Sequence, residues 1–160
     1  MDSLETFEMI LNSLEKYPNM RFMLFCSSWG VLEQELESFC RQNGHSLLVY
    51  QTKELDIMKK SLTSIKIKDY SPKQQRYNLQ GRLYNYIFIH ELPETLDNFL
   101  KKIYSSVANG GRVYLFSSKS IDIWRVMESF ENQNYVSISK IELDNSTLYI
   151  SGKKMHGWGN

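Results

Sequence analysis

The sequence predicts a three-layer α/β fold, a mainly parallel seven-stranded sheet that closes with an antiparallel hairpin at its C-terminal end. Two observations lead there. Short continuous apolar runs alternate with stretches whose apolar residues recur at helical spacing. Such alternation implies right-handed crossovers and a parallel sheet covered on both faces. The alternation then stops, and two adjacent strand-like segments around Asp144-Asn145-Ser146 end the pattern.

Leu4, Phe7, Leu11 and Leu14, with Ile10 beside them, predict an amphipathic helix ending near Tyr17-Pro18. Phe22 to Phe25 reads as a strand buried on both faces, because it has no polar alternation. After Ser27-Ser28-Trp29-Gly30, a second helix carries Leu32, Leu36, Phe39 and Cys40 and stops at Asn43-Gly44. Leu47 to Tyr50 is a second buried strand, and Leu55, Met58 and Leu62 mark a short helix. From Ser64 to Tyr70, Ile65 and Ile67 alternate with Lys66 and Lys68, as in a half-exposed edge strand. Ser71 to Arg82 is polar and aperiodic and is expected to be a flexible loop.

Tyr84 to Ile89 is the strongest apolar run and is expected at the centre of the sheet. A helix from Glu94 places Leu96, Phe99, Leu100, Ile103 and Val107 on one face and closes at Asn109-Gly110-Gly111. Val113 to Phe116 is another buried strand. Ile123, Trp124, Met127 and Phe130 form the stripe of the last helix, and Val136–Leu143 and Leu148–Ile150 form the hairpin. No linker or repeat divides the chain, so residues 1–18 read as an N-terminal helix, 19–152 as the α/β core and 153–160 as a tail.

Composition narrows the function classes. The chain has 160 residues, with 19 Lys+Arg against 18 Asp+Glu, a balance that argues against a broad nucleic-acid or anionic-membrane footprint. No apolar run approaches the roughly 18 residues of a membrane span. Asp2, Glu5 and Glu8 near the start are unlike a secretory signal, so a cytoplasmic location with free Cys26 and Cys40 is expected. His45, His90 and His156 show no metal-ligand spacing with either cysteine, so no metal is expected.

In parallel sheets of this kind ligands bind beyond the carboxyl ends of the strands. That edge gathers Cys26 to Gly30, Gln51 to Glu54, Asp69-Tyr70, His90-Glu91 and Ser117 to Lys119. The segment Tyr84 to Lys119, YNYIFIHELPETLDNFLKKIYSSVANGGRVYLFSSK, with its double glycine, resembles the fourth strand, following helix and fifth strand of class I S-adenosylmethionine-dependent methyltransferases. The terminal hairpin agrees with that Rossmann-like fold. The resemblance implies S-adenosylmethionine as cofactor, bound by a loop that in this family begins with an acid and continues with three alternating glycines. On FMLFCSSWGVLEQEL the acid falls at Leu24 and the glycines at Cys26, Ser28 and Gly30, while the family's later leucine is kept as Leu36. The loop is therefore degenerate, since side chains stand where the backbone must turn tightly beside a ligand. The ribose-binding acid of the second strand falls at Gln51, a neutral residue with less acceptor capacity, and the adenine-side acid is retained as Asp69.

The implied cofactor residues are therefore Cys26, Ser28, Gly30, Gln51 and Asp69. His90 and Glu91 are the catalytic candidates. A histidine at that edge could serve as general base; the plainer role, and the favoured one, is to hold loop backbone and orient Glu91. Glu91 itself also suits a helix N-terminal charge. Cys26 suits a nucleophile near a helix N-terminus, although a small buried thiol packing the strand end is the favoured role. Trp29 could fill the space a cofactor would take. Lys66, Lys68, Lys73, Arg76 and Arg82 form a basic cluster for RNA or an acidic partner, or solvated edge-strand lysines. Trp158, between two glycines, is expected either loose or docked on its own domain or a second subunit, which would make a homodimer.

Two functions follow. One is an S-adenosylmethionine-dependent methyltransferase acting on an unidentified small or macromolecular nucleophile. The other is a non-catalytic binding or assembly module on the same fold, with a small molecule or a protein as partner. A flavodoxin-like nucleotide binder, with phosphate cradled by Ser27 to Gly30, is a third reading.

Overall fold

The computed structural model describes residues 2–15, 17–55 and 65–155. The expected helix on Leu55, Met58 and Leu62 and the Trp158 tail lie largely outside the described residues. Seven strands form one sheet: β1 (Arg21–Cys26), β2 (Ser46–Gln51), β3 (Ile65–Asp69), β4 (Tyr84–Ile89), β5 (Val107–Ser118), β6 (Tyr135–Glu142) and β7 (Thr147–Lys154). Their order is β3-β2-β1-β4-β5-β7-β6. The first five pair in parallel, and β7 inserts antiparallel between β5 and β6. This is the predicted mixed sheet, with β4 at its centre. A flavodoxin-like sheet runs 2-1-3-4-5, so that alternative does not describe this chain.

Helices α1 (Ser3–Ser13) and α2 (Val31–Gln42) cover one face, and α3 (Leu96–Tyr104) and α4 (Ile123–Asn132) the other. The α1 N-terminus is capped by the Asp2 carboxylate, which accepts the Glu5 N–H at 2.8 Å. Phe7, Ile10 and Leu11 then face the core. The helix ends before Tyr17-Pro18, because Leu14 already takes extended backbone while its side chain stays buried. Strand β1 is buried on both faces after Arg21, as its unbroken apolar run predicts. Helix α2 ends at Asn43, with Gly44 at φ +71° where a left-handed residue turns the chain.

The structure corrects the sequence reading at four places. The loop before β4 is anchored: Tyr77 is fully buried, its ring edge-on to Phe25, Tyr50 and Phe99. Helix α3 stops at Tyr104, and Val107 already pairs with Tyr84 in the sheet. The double glycine therefore does not cap the helix. It lies inside β5, where the register against β4 shifts between Val107 and Arg112 and Gly110 has φ +80°. A Cβ on Gly111 would come within 2.7 Å of the Asn85 carbonyl oxygen, so only glycine lets the two backbones approach.

Trp124 is 82% exposed, because at about 100° per residue Val126, not Trp124, shares the face of Ile123, Met127 and Phe130. Lys153 and Lys154 continue β7 and are not part of a tail. The hairpin turn is held by Asp144, whose carboxylate accepts the N–H groups of Ser146 and Thr147, each at 2.8 Å. Those N–H bonds and the two neighbouring hydroxyls hold its carboxyl below the usual carboxylate range. No helix among the described residues is long and apolar enough to cross a membrane.

Candidate functional site

The carboxyl ends of β1 and β4 and the start of α2 enclose a cleft of about 230 Å³. Cys26, Ser28, Val31, Glu33, His90 and Phe116 are among the residues that line it. Gly30 is the N-cap of α2 and carries no capping side chain. Glu33, three residues on, reaches back instead, and its carboxylate accepts the Gly30 N–H at 2.7 Å. Its other oxygen meets His90 Nδ1, and His90 Nε2 meets the Tyr149 hydroxyl of β7. The Glu33 and His90 side chains are only 10% and 6% exposed, and Tyr149 is fully buried.

The electrostatics of this chain are coherent. Burial acts to raise the Glu33 carboxyl, but the hydrogen bond and charge of His90 and the Gly30 N–H outweigh it, so its pKa lies below the usual value. An ionised Glu33 fixes a proton on His90 Nδ1 and leaves Nε2 to the Tyr149 hydroxyl. Burial first, then the Glu33 charge, pushes the Tyr149 phenol well above its ordinary value. The same two causes push the Cys26 thiol up to about 12. Cys26 is therefore a buried thiol at neutral pH and lacks the thiolate a nucleophile needs.

Each site residue proposed from sequence has a definite place. Cys26 and Ser28 are brought to the cleft beside His90, and Gly30 stands next to it, bonded to Glu33. Ser28 is exposed, and Trp29 is half-buried against the core layer under α1 and α2. Gln51 and Asp69 stand apart at the ends of β2 and β3 and bond each other, the Gln51 amide donating to Asp69 at 2.6 Å. The Gln51 carbonyl oxygen accepts the Leu55 N–H at 3.1 Å. Glu91 lies exposed at the rim, where the Ser27 hydroxyl approaches it at 3.4 Å. His90 does not orient Glu91, because its ring is held by Glu33 and Tyr149.

Glu33 and Tyr149 were not legible as site residues. The spacing of Glu33 after Gly30 is a capping-box signal and could have flagged it. Tyr149 carried no signal beyond being an aromatic in a strand.

The fit of these residues to S-adenosylmethionine is partial. Gly30 and Asp69 stand where the resemblance implies a glycine and an acid. Ser28 places a Cβ where the backbone must lie open, Leu24 supplies no acid, and the polar groups of Gln51 and Glu33 already have protein partners. As a cofactor grip the set is incomplete.

No family model matches the chain, and no curated protein matches it in sequence. Solved structures do match. An S-adenosylmethionine-dependent methyltransferase from Aquifex aeolicus superposes with a TM-score of 0.72 at 13% identity, over 92% of this chain and 88% of that one. An S-adenosylmethionine-dependent O-methyltransferase from Thermotoga maritima gives 0.75 at 14% identity, over 98% and 67%. A putative ribosomal RNA methyltransferase from Plasmodium falciparum gives 0.69 at 9% identity, over 98% and 97%. At such identities the likeness speaks for the fold, and the strand order with its antiparallel β7 agrees. The chain has the class I S-adenosylmethionine-dependent methyltransferase fold.

Proposed function

We propose that this methyltransferase-like protein is a non-catalytic binding or assembly module, whose former cofactor edge is closed by its own side chains. One observation carries this reading: the acid and the histidine of the cleft are held by protein partners, and its cysteine is kept as a thiol. Both His90 nitrogens are hydrogen-bonded, Glu33 is paired and caps α2, and Cys26 is protonated. A general base needs a lone pair within reach of the proton it abstracts, and His90 presents none to the cleft. Its role is to position, tying α2 to β7.

S-adenosylmethionine-dependent methyl transfer is the second reading, favoured by Gly30 and Asp69 at their family positions. Calorimetric titration with S-adenosylmethionine and S-adenosylhomocysteine, on protein stripped of co-purified ligand, separates the two. The module reading expects no heat and no thermal shift at millimolar ligand. Micromolar binding that Gly30→Asp or Asp69→Ala abolishes, with the fold intact, would establish the enzyme reading instead. For the assembly role, deletion of residues 155–160 is expected to change oligomeric mass or partner capture.

A further inference from the structure

A second cleft, of about 270 Å³, lies at the opposite edge of the sheet, where strands begin. Arg21 opens β1, and Lys66 and Lys68 reach in from β3. Arg82 comes from the loop that ends at β4. Lys66 sits opposite Leu48 and Lys68 opposite Tyr50, and residues two apart in a strand share a face, so both ammonium groups belong to the same side. No carboxylate lines the cleft, and among the described residues none of the four cations meets one within 4.0 Å. In a chain of net charge +1, four cations around one concavity, without a carboxylate partner among the described residues, make a positive field that an anion would relieve.

The wall is not a simple solvated edge. Lysines on β3 alone would serve to discourage strand pairing, but that role leaves Arg21 and Arg82, from other elements, without an explanation. The turn Leu79–Gly81 carries Gln80 at φ 59°, a left-handed conformation that non-glycine residues seldom hold outside ligand-clamping or tightly determined sites. Leu47, Leu48, Leu79 and Tyr84 supply an apolar side to the same space. Tyr84 lines this cleft with Arg21 and Arg82, and its phenol stays raised by burial and by Tyr50, with the two arginine charges opposing the shift.

We propose that this cleft binds a small phosphorylated molecule bearing at least two negative charges and an apolar or aromatic body, of about nucleotide size. Arg21 and Arg82 offer planar forks for phosphate oxygens, and Lys66 and Lys68 offer point charges. A single-stranded nucleic acid fits less well. It needs a basic track and stacking platforms beyond one concavity, and Lys73 and Arg76, the other cations of the loop, do not line it. The proposal is independent of the reading of the carboxyl edge, since no residue is shared between the two clefts.

The test is calorimetric titration with inorganic pyrophosphate, ATP and adenosine, on the wild type, Arg82→Ala, the double variant Lys66→Ala with Lys68→Ala, and a control double variant Lys73→Ala with Arg76→Ala. These side chains are surface groups, and an unchanged circular dichroism spectrum checks the fold. ATP and pyrophosphate are expected to bind and adenosine not to. Affinity should fall with added salt and drop about tenfold or more in the Arg82 and Lys66/Lys68 variants, with no change in the control. Absence of ATP and pyrophosphate binding at millimolar concentration overturns the proposal. Equal weakening in the control variant does the same. A single-stranded oligonucleotide that binds tighter than ATP through the same residues also overturns it, in favour of nucleic acid.

Discussion

Glu33 shows how one side chain can change what a degenerate loop does. It supplies the α2 cap that Gly30 lacks and the anion that His90 requires. Removing one partner of a buried pair leaves the other uncompensated, so Glu33→Ala should destabilise the protein by about 3 kcal/mol in urea unfolding. The acid limb gives a second check. The Glu33 pKa is lowered on folding, so its contribution is fully present above the ordinary value of 4.5 and is lost as pH falls through the lower folded value. Stability measured from neutral pH down past 4.5 should therefore fall less steeply in Glu33→Gln than in the wild type. Tyr77 makes the opposite case: its buried hydroxyl has no hydrogen-bond partner among the described residues. Tyr77→Phe removes an unsatisfied polar group and keeps the ring, so its melting temperature should equal or exceed the wild type's.

At the scale of the element, β5 carries the instructive error. Its glycines follow an amphipathic helix, and a helix stop was the natural inference from spacing alone. The double glycine in fact serves a strand, where the backbone of Gly111 lies against the Asn85 carbonyl. Gly111→Ala is expected to cost about 2 kcal/mol or more by overpacking at the centre of the sheet. Gly44→Ala has open space around it and only a left-handed φ of +71° to strain it, so it should cost about 1 kcal/mol. Thermal melts of the two variants rank them, and a larger loss for Gly44→Ala would contradict this account of β5.

Over the whole molecule, the sheet was legible because burial on both faces leaves an unbroken apolar run. Phe22–Phe25 and Tyr84–Ile89 could hardly be read otherwise. The order of layers followed from alternation, and the antiparallel end from the Asp144 turn. The candidate site was legible only in outline. Its frame at Cys26, Gly30 and His90 follows from position at strand ends, whereas Glu33 and Tyr149 join it through contacts between residues 57 and 59 positions from His90 in sequence. Periodicity carries no information at that range. Trp124 failed for a local reason, since an aromatic beside a stripe is easily counted as part of it. The insertion of β7 between β5 and β6 also orders events in time. During synthesis β5 emerges with one edge open, and its neighbour on that side is the last of the seven described strands in chain order. Until Thr147–Lys154 leaves the ribosome, β5 presents a bare template for pairing with other chains, and His90 Nε2 has no phenol to meet. A chain stopped before Thr147 should therefore collect in the insoluble fraction, while a chain that includes β7 covers the β5 edge itself.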